Sequence, residues 1–141
     1  MKHQKQKPYE CFPAVIGMLL DKPARQVIKE ILGKPLAKHA WSYLISNASG
    51  DKHELLRKRV KSYLAANLPW VSMQAFYTEQ EQRACVIPAK GRGLAVINSH
   101  VVAFENGLVF DPAKLAPMPL ADYMLDLRAH NKILKLVEEE K

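Results

Sequence analysis

The chain reads as one α+β domain, with helices first and an antiparallel sheet after them, and three observations predict this. The stretch at residues 12–20 is apolar all round, the pattern of a helix buried on most sides. Two further segments before Pro69 carry apolar residues at helical spacing. Beyond Trp70 the period shortens to that of strands, and Asn106-Gly107 stands between two β-rich runs, the strongest short-range signal for a hairpin. Helices grouped ahead of strands argue for α+β and against an alternating, parallel fold. The expected division is a helical part at about 11–68 and a sheet part at about 70–141, within a single domain.

Each element has its own reason. Residues 1–10 are polar, contain Pro8 and show no period, so they form an extended lead-in. The first helix starts at Cys11, at the N-cap or first turn, with Pro13 tolerated because the earliest helical N–H groups have no partner to lose. Phe12, Ala14, Val15, Ile16, Met18, Leu19 and Leu20 surround its axis, which makes it a central helix. The second helix opens near Pro23, carries Ala24, Val27, Ile28, Ile31 and Leu32 at helical spacing, ends at Gly33 and Pro35, and packs on the first. A short helical turn is expected at 40–45 and a loop at 47–50. Asp51 and Glu54 make a capping-box-like start for the third helix, with Leu56, Val60, Tyr63 and Leu64 on one face; Arg57, Lys58, Arg59 and Lys61 fall largely elsewhere, and Pro69 ends it. Strands are expected at 70–76, 84–87 and 94–97, the last following Gly91-Arg92-Gly93, and then at 100–104 and 108–110 around the Asn-Gly turn. Pro112 terminates the second hairpin strand, residues 120–129 read as a helix, and 133–137 as a closing strand.

Bulk properties set limits. With 141 residues, 48% of them apolar, the chain can bury a real core as one ordinary domain. Its 21 basic against 14 acidic side chains give a formal charge of +7, which favours anionic partners or acidic substrates but concerns encounter and solubility, not fold. Two cysteines, neither in a Cys-x-x-Cys pair, fall short of a disulfide framework, so a reducing compartment and a free thiol are expected. The longest apolar run, 14–20, is too short for a membrane span or a signal peptide, which points to a soluble, cytoplasmic protein with no membrane association. His3, His39, His53 and His130 show no metal-ligand spacing with each other or with the cysteines, so neither a metal nor a cofactor is expected. Arg57, Lys58, Arg59 and Lys61 read first as a solvated helix side, with nucleic-acid binding the lesser alternative. Trp41 and Trp70 read as packing residues at element ends that could line a groove, and Cys85 as an inward strand residue.

Chemistry concentrates at three positions. His100 opens one hairpin strand and Asp111, eleven positions later, closes its partner. A reversal at Asn106-Gly107 returns both to one end of the sheet, where the carboxylate can bond one imidazole nitrogen and leave the other for a thiol. Cys11 supplies that thiol from a helix start, where unpartnered backbone N–H groups can hold an oxyanion. A lone cysteine is usually a small buried hydrophobe. The order of cysteine, histidine and carboxylate turns the reading towards a nucleophile, its base and the group that orients the base.

The run Gln6-Lys7-Pro8-Tyr9-Glu10-Cys11-Phe12-Pro13-Ala14-Val15-Ile16-Gly17-Met18-Leu19-Leu20 resembles the opening of the C39-like cysteine peptidases, the papain-like group that includes leader-peptide-processing domains of bacteriocin exporters. Ser99-His100-Val101-Val102-Ala103-Phe104-Glu105-Asn106-Gly107-Leu108-Val109-Phe110-Asp111-Pro112 resembles their histidine hairpin ending in Asp-Pro. The resemblance implies a papain-like fold in which Cys11 is the nucleophile, His100 the base and Asp111 the orienting carboxylate. It also implies a glutamine amide in the oxyanion hole, for which Gln6 matches best and Gln4 is the fallback. The implied substrate is a protein or peptide, cleaved at a peptide or isopeptide bond. Phe12 stands where the family usually has glycine, so its ring is expected to narrow the cleft or to mark an altered substrate. The chain has no Gly-x-x-x-x-Gly-Lys loop and no span, so a leader-cleaving role would be that of a separate soluble enzyme rather than of a transporter. Two alternatives share the residues: an acyltransferase of the transglutaminase or arylamine acetyltransferase kind, and a catalytically inactive peptidase-like module that binds through residues 57–61.

Overall fold

A computed structural model describes residues 1–6, 10–32, 54–71, 90–97, 100–129 and 134–139. At its centre is helix α1, Cys11–Leu20, in which every residue from Cys11 to Leu19 is buried. The helix closes at Asp21, which takes a left-handed conformation (φ 56, ψ 44), while the Lys22 N–H donates back to the Gly17 carbonyl at 2.8 Å. That return brings backbone directly over Gly17. A Cβ there would stand 2.5 Å from the Lys22 carbonyl oxygen, so the position has room only for hydrogen.

Helix α2, Ala24–Leu32, buries Val27, Ile28 and Ile31. Helix α3, Glu54–Asn67, buries Leu56, Val60 and Leu64, with Tyr63 half-buried as expected of that face. The Tyr63 hydroxyl donates to Glu30 at 2.6 Å and ties α3 to α2. After α3 the chain does not enter a strand at Trp70. Past Pro69 it folds into a turn, with the Val71 N–H donating to the Leu68 carbonyl at 2.9 Å and Trp70 half-buried against the core. The rest of the strand expected at 70–76, the strand at 84–87 with Cys85, the turn at 40–45 with Trp41, and the signals at Gly33, Pro35 and Asp51 lie outside the described residues.

Among the described residues the sheet has five strands: β1 Arg92–Ile97, β2 His100–Glu105, β3 Leu108–Phe110, β4 Met118–Pro119 and β5 Leu134–Glu138, in the order β4-β3-β2-β1-β5. All pairings are antiparallel. β1 begins two residues before the expected Leu94, and β4 was not anticipated; its Pro119 is tolerated because an edge strand need not donate outward. Helix α4, Leu120–Ala129, follows β4 over the expected range. The β2–β3 turn has φ 46 at Asn106 and φ 85 at Gly107, two consecutive positive values of the kind a two-residue reversal matching strand twist requires.

Alternation along the strands divides the core between two faces. Leu94, Val96, Val101, Ala103 and Phe110 pack with α1, α2 and α3. Ala95, Val102, Phe104 and Val109 pack with Tyr123 of α4 and the half-buried Met118, Leu120 and Met124. The fold class is therefore α+β, a helical layer ahead of an antiparallel sheet. Among the described residues, no helix is long and apolar enough to cross a membrane.

Candidate active site

Cys11 is the first residue of α1 and is 7% exposed. The N-cap residue Glu10 makes no side-chain cap bond, and the Ala14 N–H is bonded to the Glu10 carbonyl at 3.3 Å. The Cys11 N–H thus precedes the helical ladder, at the end where a helix has donors to spare.

His100 is the first residue of β2, and the hairpin brings Asp111 to it. The register pairs Ala103 with Phe110, and one further step sets Asp111 opposite Val102. His100 and Asp111 are therefore diagonal neighbours on one face rather than directly opposed partners. Their side chains meet: His100 Nε2 lies 2.6 Å from Asp111 Oδ1. The Cys11 side chain lies near enough to the imidazole to raise its pKa. With Nε2 committed to the carboxylate, Nδ1 is the ring nitrogen left for the sulfur. The His100 side chain is 29% exposed, whereas Asp111 behind it is 8% exposed. The three residues singled out in the sequence thus come together, with His100 bonded to Asp111 and the Cys11 side chain acting on the same ring.

Asp111 is held from several sides. Its Oδ1 also accepts the Ala113 N–H at 2.9 Å, an Asx turn that shapes the chain beyond Pro112. Its Oδ2 accepts the Tyr123 hydroxyl at 2.9 Å. Burial is the largest single influence on this carboxyl and pushes it up, but the bond to His100, the imidazole charge, the Ala113 N–H and the Tyr123 hydroxyl together hold it below the usual carboxylate range. Burial likewise weighs most on His100 and pulls it down. The hydrogen bond to Asp111 and the nearby Cys11 side chain, with the charges of both groups, outweigh that and raise it from 6.5 to about 9. At neutral pH the ring is accordingly a cation between a carboxylate and a sulfur, a group able to hand a proton to whatever leaves beside that sulfur.

The two glutamines separate. The Gln6 N–H donates to the Pro112 carbonyl at 2.7 Å, which holds Gln6 beside the Asp111 segment, and its Oε1 is buried without a hydrogen-bond partner. Gln4 is engaged elsewhere: Nε2 donates to the Lys22 carbonyl at 2.5 Å and Oε1 accepts the Ala24 N–H at 2.9 Å, pinning the lead-in to the α1–α2 turn. Both ends of that amide are used away from Cys11, so it cannot serve as the fallback donor without releasing the turn.

Phe12 does not stand in the cleft. It is 0% exposed and belongs to the core cluster of the helical face, because one step along a helix turns the side chain by about 100° and α1 is buried on that side too. On α3, Lys58, Arg59 and Lys61 are exposed and Arg57 is half-buried, and Arg59 reaches the Ile31 carbonyl at 3.5 Å. His3 stacks on Phe110 with ring centroids 6.2 Å apart and bonds the Lys114 carbonyl at 2.9 Å. Among the described residues, no group of three or more His, Cys, Asp and Glu side chains is placed to hold a metal ion.

Tyr123 was not anticipated as part of the site. A signal existed, since Leu120, Tyr123 and Met124 share one helical face at i, i+3 and i+4, and a buried tyrosine hydroxyl needs an acceptor. Which acceptor it finds depends on where α4 packs. No family model matches the chain, and no curated protein or solved structure matches it significantly.

Proposed function

We propose that this chain is a papain-like cysteine peptidase of the C39-like kind, hydrolysing a peptide bond through Cys11, His100 and Asp111. The observation that carries the reading is the bond from Asp111 to His100 at 2.6 Å, with the cysteine at the first position of a buried helix close enough to act on the same imidazole. The resemblance rests on the residues around Cys11 and His100 quoted above. Chemically, the Cys11 sulfur adds to the substrate carbonyl carbon, and the oxyanion that forms is met by the Cys11 N–H and by the Gln6 amide. His100 gives its proton to the amine as the C–N bond breaks, leaving a thioester on Cys11. Water then loses a proton to His100 and adds to the thioester carbonyl; the C–S bond breaks and the acid departs. Asp111 keeps the imidazole oriented through both halves and stabilises it whenever it carries the proton. Phe12, in the core, leaves the approach to the thiol to other residues.

The test compares the protein with its Cys11→Ala and His100→Ala variants. Iodoacetamide is expected to label Cys11 faster than Cys85 near neutral pH, and His100→Ala to slow that labelling. New peptide amino termini are expected in a proteome treated with the wild-type chain and not with Cys11→Ala. Equal, slow labelling of both thiols would sink the nucleophile assignment; fast labelling without new termini would sink the peptidase assignment.

A further inference from the structure

We infer that Tyr123 is a positioning residue of this site, acting through Asp111 to keep the His100 imidazole aimed at the Cys11 sulfur. The inference rests on the peptidase reading above and goes beyond it to α4, which contributes no member of the proposed triad. The torsion that turns a carboxylate about its own axis has a broad, roughly two-fold profile, so an aspartate held at one oxygen swings easily. Here Oδ1 already serves two donors, His100 Nε2 at 2.6 Å and the Ala113 N–H at 2.9 Å. The Tyr123 hydroxyl holds Oδ2 at 2.9 Å. With it in place, the plane of the carboxylate is defined from both ends.

The hydroxyl is itself well anchored. Tyr123 is 3% exposed, and its ring packs with Ala95, Val102, Phe104 and Val109 on the sheet face turned away from α1. The site is thus gripped across the sheet, with the thiol supplied by α1 on one side and the carboxylate steadied by α4 on the other. A neutral donor suits the task, because it orders the carboxylate without cancelling the charge that holds the proton on His100. The apolar packing also makes the role separable: Tyr123→Phe keeps the ring and removes only the hydroxyl.

The experiment uses the full chain in four forms, wild type, Tyr123→Phe, Asp111→Ala and the double variant, with two readouts. One is the iodoacetamide alkylation rate of Cys11 at neutral pH, resolved by mass spectrometry; the other is the titration of the His100 ring by NMR. Tyr123→Phe is expected to slow alkylation about three- to tenfold, the rate equivalent of one ordinary hydrogen bond. It is also expected to move the His100 midpoint downward from about 9, because a swinging carboxylate holds the imidazolium less well. In the Asp111→Ala background, adding Tyr123→Phe should slow the reaction no further. Equal slowing in both backgrounds, or an unshifted His100 titration in Tyr123→Phe, overturns the inference. If Asp111→Ala does not fold, the titration of the single variant decides alone. A wild-type Cys11 indifferent to His100→Ala is a different outcome, which removes the peptidase reading itself.

Discussion

On one face of the sheet, Leu94, Val96, Val101, Ala103 and Phe110 meet α1, α2 and α3 in one extended apolar cluster. On the other, Ala95, Val102, Phe104 and Val109 meet, among the described residues, only α4 and its approach. The candidate site draws on both. Cys11 belongs to the larger cluster, while Asp111 bonds Tyr123 of the smaller one. Among the described residues, stability and alignment are therefore held in different places: the helical face supplies the larger buried cluster, and the α4 face supplies a polar contact to the carboxylate. A helix can matter to chemistry through a single polar contact.

The sharpest way to test that contrast is Phe12→Ala, which empties a fully buried ring position on the helical face. It is expected to cost about 3–5 kcal/mol by denaturant unfolding, and a loss under about 1 kcal/mol would mean the core does not centre on α1. Next in size is the pH dependence that His100 brings to stability. Its folded value, about 9, lies above the ordinary 6.5, so its contribution is complete below about 6.5 and is lost as pH rises through about 9. On the order of 3 kcal/mol should disappear across that window in the wild type, and the loss should be absent in His100→Ala. A flat wild-type profile would contradict the charge pairing at the site.

Gly17→Ala comes third. Alanine ordinarily gains about 1 kcal/mol over glycine within a helix. Here the added Cβ meets the Lys22 carbonyl at 2.5 Å, backbone that Gln4 also holds, so a net cost of about 1–2 kcal/mol in thermal unfolding is expected. A stabilised variant would show that the α1–α2 turn yields freely. The smallest effect belongs to Leu125→Ala on α4: the side chain is 65% exposed, and the change should stay within about 0.5 kcal/mol. A cost well above that would show the outer side of α4 to be covered after all, and would erase the asymmetry between the faces.

Much of this was legible before any coordinates. Apolar residues on all sides of 12–20 specify a buried helix whatever it packs against, because no rotation about its axis hides a narrower stripe. Asn106-Gly107 specifies a reversal because few residue pairs accept two positive φ values in succession. Those two local facts were enough to bring Cys11, His100 and Asp111 forward as a set. Trp70 was misread because aromatic and β-branched residues after a proline look like a strand, and the turn that prevails there is secured by core contacts no local pattern displays.

Tertiary structure decided the rest. The ring of Phe12 lies in the core, since neighbours in sequence leave a helix in different directions and only packing says which direction is open. Gln4 belongs to the α1–α2 turn and Gln6 to the Asp111 segment, a distinction set by partners found 18 and 106 positions away. Tyr123 reaches Asp111 only because β4 and α4 fold the chain back over the outer face of the hairpin. The sequence by itself determined the helices Cys11–Leu20, Ala24–Leu32, Glu54–Asn67 and Leu120–Ala129, the β2–β3 hairpin, and the three side chains whose order suggests chemistry, because those depend on short-range sterics and periodicity. Which polar groups surround them depended on long-range packing, where the donor that completes a buried carboxylate arrives from a different helix.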